Sequence, residues 1–470
     1  MRCYVPIFFI AKTTFNRPSL NNQETAMKKT KTNYLEQYDA AADADKFPLV
    51  RRWLDTEPLP FFKELREHRP ILVTPACTLV TRFDDVTEVL NMPKIFTVEL
   101  YIAKMGDYLM SHDDDALHTR EKSLMQGLLN RDDLPQVRAI VANIAKKILD
   151  GANGGIEIVN DYCRMVPATL VQDYFGLTGV DKKDLIEWSY WNQYDNFHNH
   201  PFDLLPEEKH QYILDRHAAV GEPLKKYIAE LMVRRLLAVK AEKATNIIFS
   251  MWYLLCKLAR QFMGKKNDTL TDDIVTRMLR SHFAEAVDFD LKRVGFNAGG
   301  LLIGAIETTS QAVSQVIQYL LERPEWLTKA ITAAGRDEPE EFDAIVWEAL
   351  RYVPIAPYLF RKTASEYTVG KTTDRETTIY PGTYVLACTQ SAMFDPLINE
   401  NPDEFIPDRN WYHHFNFGFG SHECLGKYVG MVMIPEMVRQ VLLKPKLKAT
   451  GKIDYKSGPF PEYYELKWKN

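Results

Sequence analysis

The first apolar runs of the chain predict a small unit in which two helices flank two strands. Residues 59–67 carry apolar side chains three and four positions apart, the spacing of a helix with one buried face. Residues 70–73 and 78–82 are rich in Ile, Leu, Val and Thr and predict two short strands, separated by Pro75. Residues 84–90 return to helical spacing. We therefore expect a minor β lobe near the start of the chain.

Helical periodicity dominates the rest of the chain. Residues 136–280 have a helical pattern, and the mostly apolar stretch 291–322 predicts one long helix that stops before Pro324. Inside it lie Gly295, Gly299, Gly300 and Gly304. Each costs about 1 kcal/mol relative to alanine in a helix interior, so their number suggests that something flat approaches this helix closely. We predict a mainly α fold with a minor β lobe. It forms a single domain over 34–470, preceded by a tail, 1–33, that is either disordered or an over-long gene prediction.

Composition narrows the classes of function. The 470 residues carry a net charge of −5 and a pI near 6.2, which argues against nucleic acid as a partner. Six scattered cysteines without a Cys-x-x-Cys pair are typical of a reduced, intracellular protein. No apolar run reaches the roughly 20 residues that span a bilayer. We therefore expect a soluble, cytoplasmic protein whose translation starts at Met1 or at Met27.

The most informative stretch is a glycine-broken aromatic loop with one cysteine, residues 417–426. Gly418 and Gly420 permit a tight turn, and Cys424 precedes an apolar run that predicts a helix. A cysteine near a helix N-terminus favours the thiolate form. One interpretation is a buried, inert cysteine. The other is a single thiolate ligand with no second cysteine nearby, which suits an iron already held by a porphyrin.

The loop resembles the haem-binding loop of the cytochrome P450 family, F-G-x-G-x-H-x-C-x-G, at every position. The resemblance implies haem b with Cys424 as the axial thiolate and metal ligand. It also implies that the loop residues which contact the cofactor are Phe417, Gly418, His422 and Gly426.

Further motifs of the family follow in the expected order. Residues 113–122 resemble D-P-P-x-H-x-x-x-R, which implies that His118 and Lys122 bind haem propionates. Here both prolines are missing and a lysine stands at the arginine position. An exposed charged helix face is the alternative interpretation. Arg361 is expected to be a further propionate contact.

Two motifs near the C-terminal third imply structural residues. Glu348-x-x-Arg351 and residues 402–409 resemble E-x-x-R and P-x-x-F-x-P-x-R, whose acid and two arginines lock together behind the haem. By that resemblance Glu348, Arg351 and Arg409 are structural. One departure concerns the helix after the cysteine, where Pro435 is expected to kink the helix or to end its first segment.

The glycine-rich helix contains an acid and a hydroxyl side by side. Residues 304–309 resemble the family's A/G-G-x-D/E-T-T in the helix that crosses the distal haem face, with Ala305 at the second glycine position. The resemblance implies that Glu307 and Thr308 are catalytic and deliver protons to the distal oxygen. The alternative is a buried helix with a few satisfied polar groups.

The function implied is a haem-thiolate monooxygenase that inserts one oxygen atom from O2 into a small apolar substrate. Electrons from NAD(P)H are expected from separate partners, a ferredoxin or flavodoxin and its reductase, docking near Arg120 and Lys122. One alternative is a haem-thiolate isomerase, dehydratase or peroxide-driven peroxygenase. A non-catalytic haem sensor or binder is the other. Pocket residues implied by the resemblance are Tyr101, Met105, Leu302, Ala305, Ile306, Pro357, Tyr358 and Phe460.

The segment 247–266 is long for this family and has a wide apolar face with flanking lysines. One interpretation is a lid helix that packs on the protein's own core. The other is a helix whose apolar face makes peripheral contact with a membrane or with a lipophilic substrate.

Overall fold

The computed structural model describes residues 33–113, 115–242, 251, 254–259, 271–282 and 289–469. The predicted tail, apart from Asn33, lies outside these residues. The α-helices are α1 Tyr34–Ala40, α2 Asp43–Thr56, α3 Pro58–His68, α4 Phe83–Leu90, α5 Glu99–Met105, α6 Ala116–Leu128, α7 Leu134–Gly151, α8 Met165–Asp173, α9 Lys182–His198, α10 Glu207–Glu242, α11 Ile274–His282, α12 Leu291–Ala305, α13 Glu307–Leu321, α14 Pro324–Ala334, α15 Glu340–Tyr352, α16 Thr389–Met393 and α17 Lys427–Leu442.

Within the described residues, the strands form three small sheets. The strands are β1 Ile71–Val73, β2 Thr78–Val80, β3 Phe96–Thr97, β4 Gly155–Glu157, β5 Leu359–Thr363, β6 Tyr367–Val369, β7 Thr377–Ile379, β8 Tyr384–Ala387, β9 Lys448–Ala449 and β10 Glu465–Lys467. The largest sheet has the order β1-β2-β8-β5-β3, with β2 parallel to β8 and the other pairs antiparallel. The predicted helix–hairpin–helix start of the chain is confirmed by α3, β1, β2 and α4.

The helical core surrounds α13. Most side chains of α13 are buried, and the helix packs against α15 and α17. Helix α17 in turn packs along α7. A continuous apolar cluster joins these helices to α8, α11 and α12. The prediction of a mainly α fold with a minor β lobe is therefore confirmed.

Two predictions about helices need correction. The stretch 291–322 forms two helices, α12 and α13, because the chain bends at Ile306. Of the two alternatives for Pro435, an end of the helix is wrong, because α17 runs without a break to Leu442, and a kink stays a prediction. Proline removes only one backbone hydrogen bond, whereas Met437 and Val438 in the next turn are fully buried, so packing keeps the helix together. The segment 247–266 lies largely outside the described residues.

Candidate functional site: the cysteine loop and the interrupted helix

The cysteine loop is shaped by its glycines. Gly418 and Gly420 have φ values of +76° and +72°, in the region that side chains other than glycine rarely enter. A Cβ at Gly420 would also lie 2.9 Å from the carbonyl oxygen of Leu90. The Cys424 amide donates to the Phe417 carbonyl at 2.7 Å, which closes the loop. Cys424 is thereby presented as an exposed thiol just before α17.

The thiol lies in a recess of the protein although it remains accessible. Surrounding protein raises the pKa of Cys424 by desolvation, and a hydrogen bond from the Gly426 amide opposes that shift. The positive charges of Lys122 and Lys427 also favour the thiolate. The loop therefore offers several groups that stabilise a negative sulfur, which is what metal ligation by a cysteine requires.

Basic and imidazole side chains converge on the same loop. His118 lies in α6, with its ring nitrogens 2.9 Å from the Leu109 carbonyl and 3.0 Å from the Ser421 carbonyl. Lys122, one turn later, donates to the Ser421 carbonyl and, at 2.7 Å, to the Glu423 carbonyl. The His422 ring packs against the His118 ring in a tilted arrangement, with centroids 4.5 Å apart. Burial, together with Arg361, His118 and Lys122, lowers the pKa of His422 to about 2.

Arg361 and His422 each retain unused hydrogen-bonding capacity. Arg361, in β5, is 4 % exposed, and burial lowers the pKa of its guanidinium. Within the described part of the chain it forms no ion pair, and its hydrogen bond goes to the Phe360 carbonyl at 2.8 Å. The Nε2 atom of His422 is buried without a hydrogen-bond partner in the same part of the chain. This cluster of positive and donor groups is suited to an anionic ligand.

The helix expected to cross the distal haem face is interrupted at the junction of α12 and α13. Gly304 is exposed there, and the Thr308 hydroxyl donates to its carbonyl at 2.7 Å. Glu307 is buried and forms an ion pair with Arg164, whose Nε lies 3.1 Å from Oε2. Burial raises the pKa of Glu307, and Arg164 partly opposes this shift. The junction therefore carries a hydroxyl on its accessible side and, on its buried side, a carboxyl that is ion-paired with Arg164.

Tyr108 lies near both Gly300 of α12 and Cys424 of the cysteine loop. The sequence did not indicate this residue. Its ring lies directly against the backbone of Gly300, where a Cβ would come within 2.2 Å of it. Burial, and to a lesser extent the nearby Cys424, raises the pKa of its hydroxyl. Gly300 is thus required by an aromatic ring of the protein itself, so at this glycine the flat group that the sequence predicted close to the helix is the Tyr108 ring.

The three predicted structural residues meet in one buried cluster. Glu348 and Arg351 lie one turn apart on α15 and form two contacts, at 2.9 and 2.6 Å. Arg409 reaches Glu348 Oε1 at 3.3 Å and donates to three backbone carbonyls. Glu348 also accepts the Ile406 amide at 2.9 Å. The cluster fixes the segment that leads into the cysteine loop.

The predicted pocket residues fall into two groups. Met105, Ala305, Pro357 and Tyr358 keep part of their surface accessible. Tyr101, Leu302, Ile306 and Phe460 are buried. Tyr101 packs against Phe360, with ring centroids 4.9 Å apart, and Phe460 packs against Tyr190 at 5.2 Å. The Tyr358 hydroxyl accepts a hydrogen bond from Arg51 at 2.6 Å. Their contact with a substrate stays a prediction.

Other residues of the site come from distant parts of the chain. Arg164 lies 143 residues before its partner Glu307. Ser189 and Gln193 of α9 reach the carbonyl of Ile303, next to the junction. The only sequence signal for the last two was a polar pair one turn apart in a predicted helical region.

Comparisons with known proteins agree with one another. The profile of the family described as Cytochrome P450 matches residues 105–454. Cytochrome P450 109 of Bacillus spizizenii is 22% identical over 78% of this chain and 80% of its own length. A steroid C26-monooxygenase of Mycolicibacterium smegmatis is 22% identical over 71% of each chain. The structure of a Bacillus megaterium protein of this family in complex with testosterone superposes with a TM-score of 0.69 at 18% identity, over 92% of this chain and 100% of that one.

No helix within the described ranges is long and apolar enough to cross a membrane. In the same part of the chain no group of three His, Cys, Asp or Glu residues could hold a metal ion.

Proposed function

The chain belongs to the cytochrome P450 family, and from this premise we propose that Cys424 is the thiolate ligand of its haem and that the reaction takes place between the cysteine loop and the α12–α13 junction. The protein is a haem-thiolate monooxygenase, an oxidoreductase that places one atom of O2 in an organic substrate and releases the other as water. The observation that carries the proposal is the accessible Cys424 in a loop whose glycines have positive φ.

The residues present fit a haem. A haem carries two carboxylates, and the buried Arg361, which forms no ion pair within the described chain, is suited to receive one. His422, with its buried Nε2 lacking a partner among the described residues, and His118 lie beside it. Lys122 contributes positive charge to the same space. We assign these four residues to the propionates and Cys424 to the iron.

The bound haem supplies the iron at which O2 is activated, and thiolate ligation favours O–O cleavage. Two residues of the chain itself, Glu307 and Thr308, are assigned to proton delivery. We assign Glu307 to this role because it is buried beside the junction in an ion pair with Arg164, and burial raises the pKa of its carboxyl. The Thr308 hydroxyl, bonded to the Gly304 carbonyl, orients a proton donor at the accessible side. An acid and a hydroxyl in these positions support monooxygenation over isomerase or peroxygenase chemistry.

Electrons are proposed to come from a separate ferredoxin or flavodoxin and its reductase. Our sequence-based docking site needs revision, because Lys122 is buried against the cysteine loop and offers no surface charge. Arg131 is exposed beside the start of α17, with its guanidinium 3.8 Å above the Tyr428 ring. We propose the surface around Arg131 for docking. Arg131→Glu should raise the KM for the electron donor and leave substrate affinity unchanged.

Isotope labelling tests the reaction class. Haem-loaded protein is supplied with a surrogate ferredoxin, its reductase, NADPH and dioxygen made of a heavy isotope. We expect one heavy oxygen atom in the product and no product without the reductase. Product formed with peroxide alone and not with the reductase would indicate a peroxygenase. Product without heavy oxygen would indicate an isomerase or dehydratase. Ligand binding without any product from a broad panel would favour a sensor.

Peripheral membrane contact through 247–266 remains a proposal supported by part of that segment. Residues 254–259 are helical, and Leu254, Leu255 and Leu258 are 55, 63 and 48 % exposed. Liposome co-sedimentation of the protein and of a Leu255→Lys/Leu258→Lys variant tests it. Sedimentation that the variant loses would support membrane contact, whereas equal, negligible sedimentation of both proteins would exclude it.

A further inference from the structure

At the junction between α12 and α13, the Ile303 carbonyl is satisfied by side chains of another helix. In a continuous α-helix the carbonyl of residue 303 would accept the amide of residue 307. Helix α12 ends at Ala305 and α13 begins at Glu307, so the Glu307 amide belongs to the first turn of a new helix. The Ile303 carbonyl instead accepts hydrogen bonds from two side chains, Gln193 Nε2 at 2.7 Å and Ser189 Oγ at 3.1 Å.

Both donors lie on one face of α9. Positions 189 and 193 are one helical turn apart, and their side chains are 0 and 3 % exposed. A carbonyl oxygen has two lone pairs, and the two donors occupy both. Water cannot replace them readily at this depth. A buried carbonyl that lost both donors would recover a partner most directly by closing the helix, that is, by accepting the Glu307 amide.

We infer that Ser189 and Gln193 are positioning residues that hold the distal helix open at Ile306. They act through the backbone, since the open junction leaves the Gly304 carbonyl to the Thr308 hydroxyl and turns the Glu307 carboxylate toward Arg164. A closed helix would use the Gly304 carbonyl for the Thr308 amide and would rotate both catalytic candidates. The inference rests on the proposed function for its consequence in catalysis, but its structural claim stands without it.

The fold makes α9 a suitable support for this role. The same helix contacts α5 through Asp195, whose carboxylate lies 3.1 Å from Lys104 Nζ. It also carries Tyr190, which packs against Phe460. Contacts on other faces of α9 therefore fix the position of Ser189 and Gln193. This pair of donors, which we call the clamp, does not depend for its position on the junction that it holds open.

The test compares Ser189→Ala, Gln193→Leu and the double variant with the parent protein by hydrogen exchange at the amides of Glu307 and Thr308. Each lost bond should shift the balance toward the closed helix by roughly fivefold. We expect exchange at these amides to slow by about that factor in the single variants and by roughly tenfold or more in the double variant. Ser189→Thr, which keeps a hydroxyl, should behave as the parent.

Asn192→Leu provides the matched control. Asn192 is a buried amide on the same helix, but it donates to the Trp188 carbonyl of its own helix at 2.8 Å. It should leave exchange at the junction unchanged. If the double variant fails to fold, Ser189→Ala, which removes the longer bond, still tests the inference. Unchanged or faster exchange at Glu307 in the folded variants would overturn it.

A second measurement separates this inference from the proposed function. In the haem-loaded protein, the double variant should keep its thiolate spectrum and substrate affinity but should form less product per NADPH consumed. If the parent protein forms no product, the proposed function fails, while the exchange experiment still decides the role of Ser189 and Gln193. If exchange changes but coupling does not, the clamp exists without positioning the proton donors, and the inference is wrong in its second half.

Discussion

Contacts of different range hold together two sides of the molecule, namely the cysteine side, which comprises the cysteine loop and the Glu348 cluster, and the side formed by α5, α9 and α12. On the cysteine side, Glu348 pairs with Arg351 one turn away on the same helix. On the opposite side, the Ile303 carbonyl depends on donors 110 and 114 residues earlier in the chain. The first kind of contact is visible as a short motif. The second exists only after the fold has brought distant helices together.

The ion-pair clusters of the two sides also differ in the range of their contacts. Glu348, Arg351 and Arg409 form a closed cluster that also satisfies backbone groups of the segment before the cysteine. On the opposite side, Asp195 joins three elements, accepting contacts from Lys104 of α5, Asn199 after α9 and His217 of α10. The first cluster fixes the segment before Cys424, the proposed ligand. The second fixes the relative position of α5, α9 and α10.

The largest expected effect comes from replacing Cys424, the proposed haem ligand. Cys424→Ser should abolish the red-shifted Soret band that the reduced, carbon monoxide-bound protein shows with thiolate ligation, because an alcohol does not replace the thiolate ligand. Cys256→Ser is the control, since Cys256 is also partly exposed but lies outside the loop. The absorption spectrum of each reduced, carbon monoxide-bound variant is the measurement, and Cys256→Ser should keep the red-shifted band. Retention of the band in Cys424→Ser would show that another cysteine binds the iron.

The next effect concerns stability on the same side. Arg351→Leu leaves Glu348 as a buried charge beside fewer partners and should lower the free energy of unfolding by about 3–5 kcal/mol. Lys329→Met is the control. Its pair with Glu325, at 3.1 Å, is exposed and should contribute no more than about 0.5 kcal/mol. Denaturant unfolding of both variants measures the difference, and equal losses would show that the buried cluster has no special role.

The two ranges of contact also explain what the sequence could predict. The turns at Gly418 and Gly420 depend on local backbone conformation, and Glu348 and Arg351 are neighbours on one turn, so their motifs were readable. The stretch 291–322 has helical periodicity and no proline, and its four glycines weaken the helix without marking Ile306, so the sequence did not locate the bend there. Its cause lies in α9. Arg164 beside Glu307 and Tyr108 against Gly300 were missed for the same reason, because each pairs residues that only the tertiary fold brings together.

The third prediction moves to the junction. Thr308→Ala removes the hydroxyl that bonds to the Gly304 carbonyl and should keep haem and substrate binding. Product formed per NADPH consumed should fall by about tenfold or more, with the electrons diverted to peroxide or water. Thr328→Ala is matched in its local geometry, because the Thr328 hydroxyl bonds the Pro324 carbonyl on an exposed helix at 2.8 Å. Unchanged coupling in Thr308→Ala would remove Thr308 from the proton path.

The smallest expected effect concerns acid sensitivity at the end of α9. His200 is buried, its Nε2 lies 2.8 Å from the Asn196 carbonyl, and its ring packs 4.4 Å from that of Phe360. Burial, with a further contribution from Lys104, lowers the pKa of His200 from 6.5 to about 4. Because the folded state favours the neutral ring, its contribution to stability is complete above pH 6.5 and is lost as the pH falls from 6.5 toward 4.

By this linkage, the free energy of unfolding should fall by about 1 kcal/mol between pH 7.5 and pH 6 through His200 alone. His200→Phe keeps a ring beside Phe360 and should lose that part of the slope, although it starts from a lower stability because the bond to Asn196 is gone. The difference between parent and variant isolates His200 from Asp203, whose pKa is raised to about 6 by burial and whose slope has the opposite sign. His68→Phe is the control, since the His68 side chain is 65% exposed. Denaturant midpoints at the two pH values measure the slopes. Identical slopes in the parent and in His200→Phe would mean that His200 has the same pKa in the folded and unfolded chains. Burial at the end of α9 would then not disfavour the protonated ring.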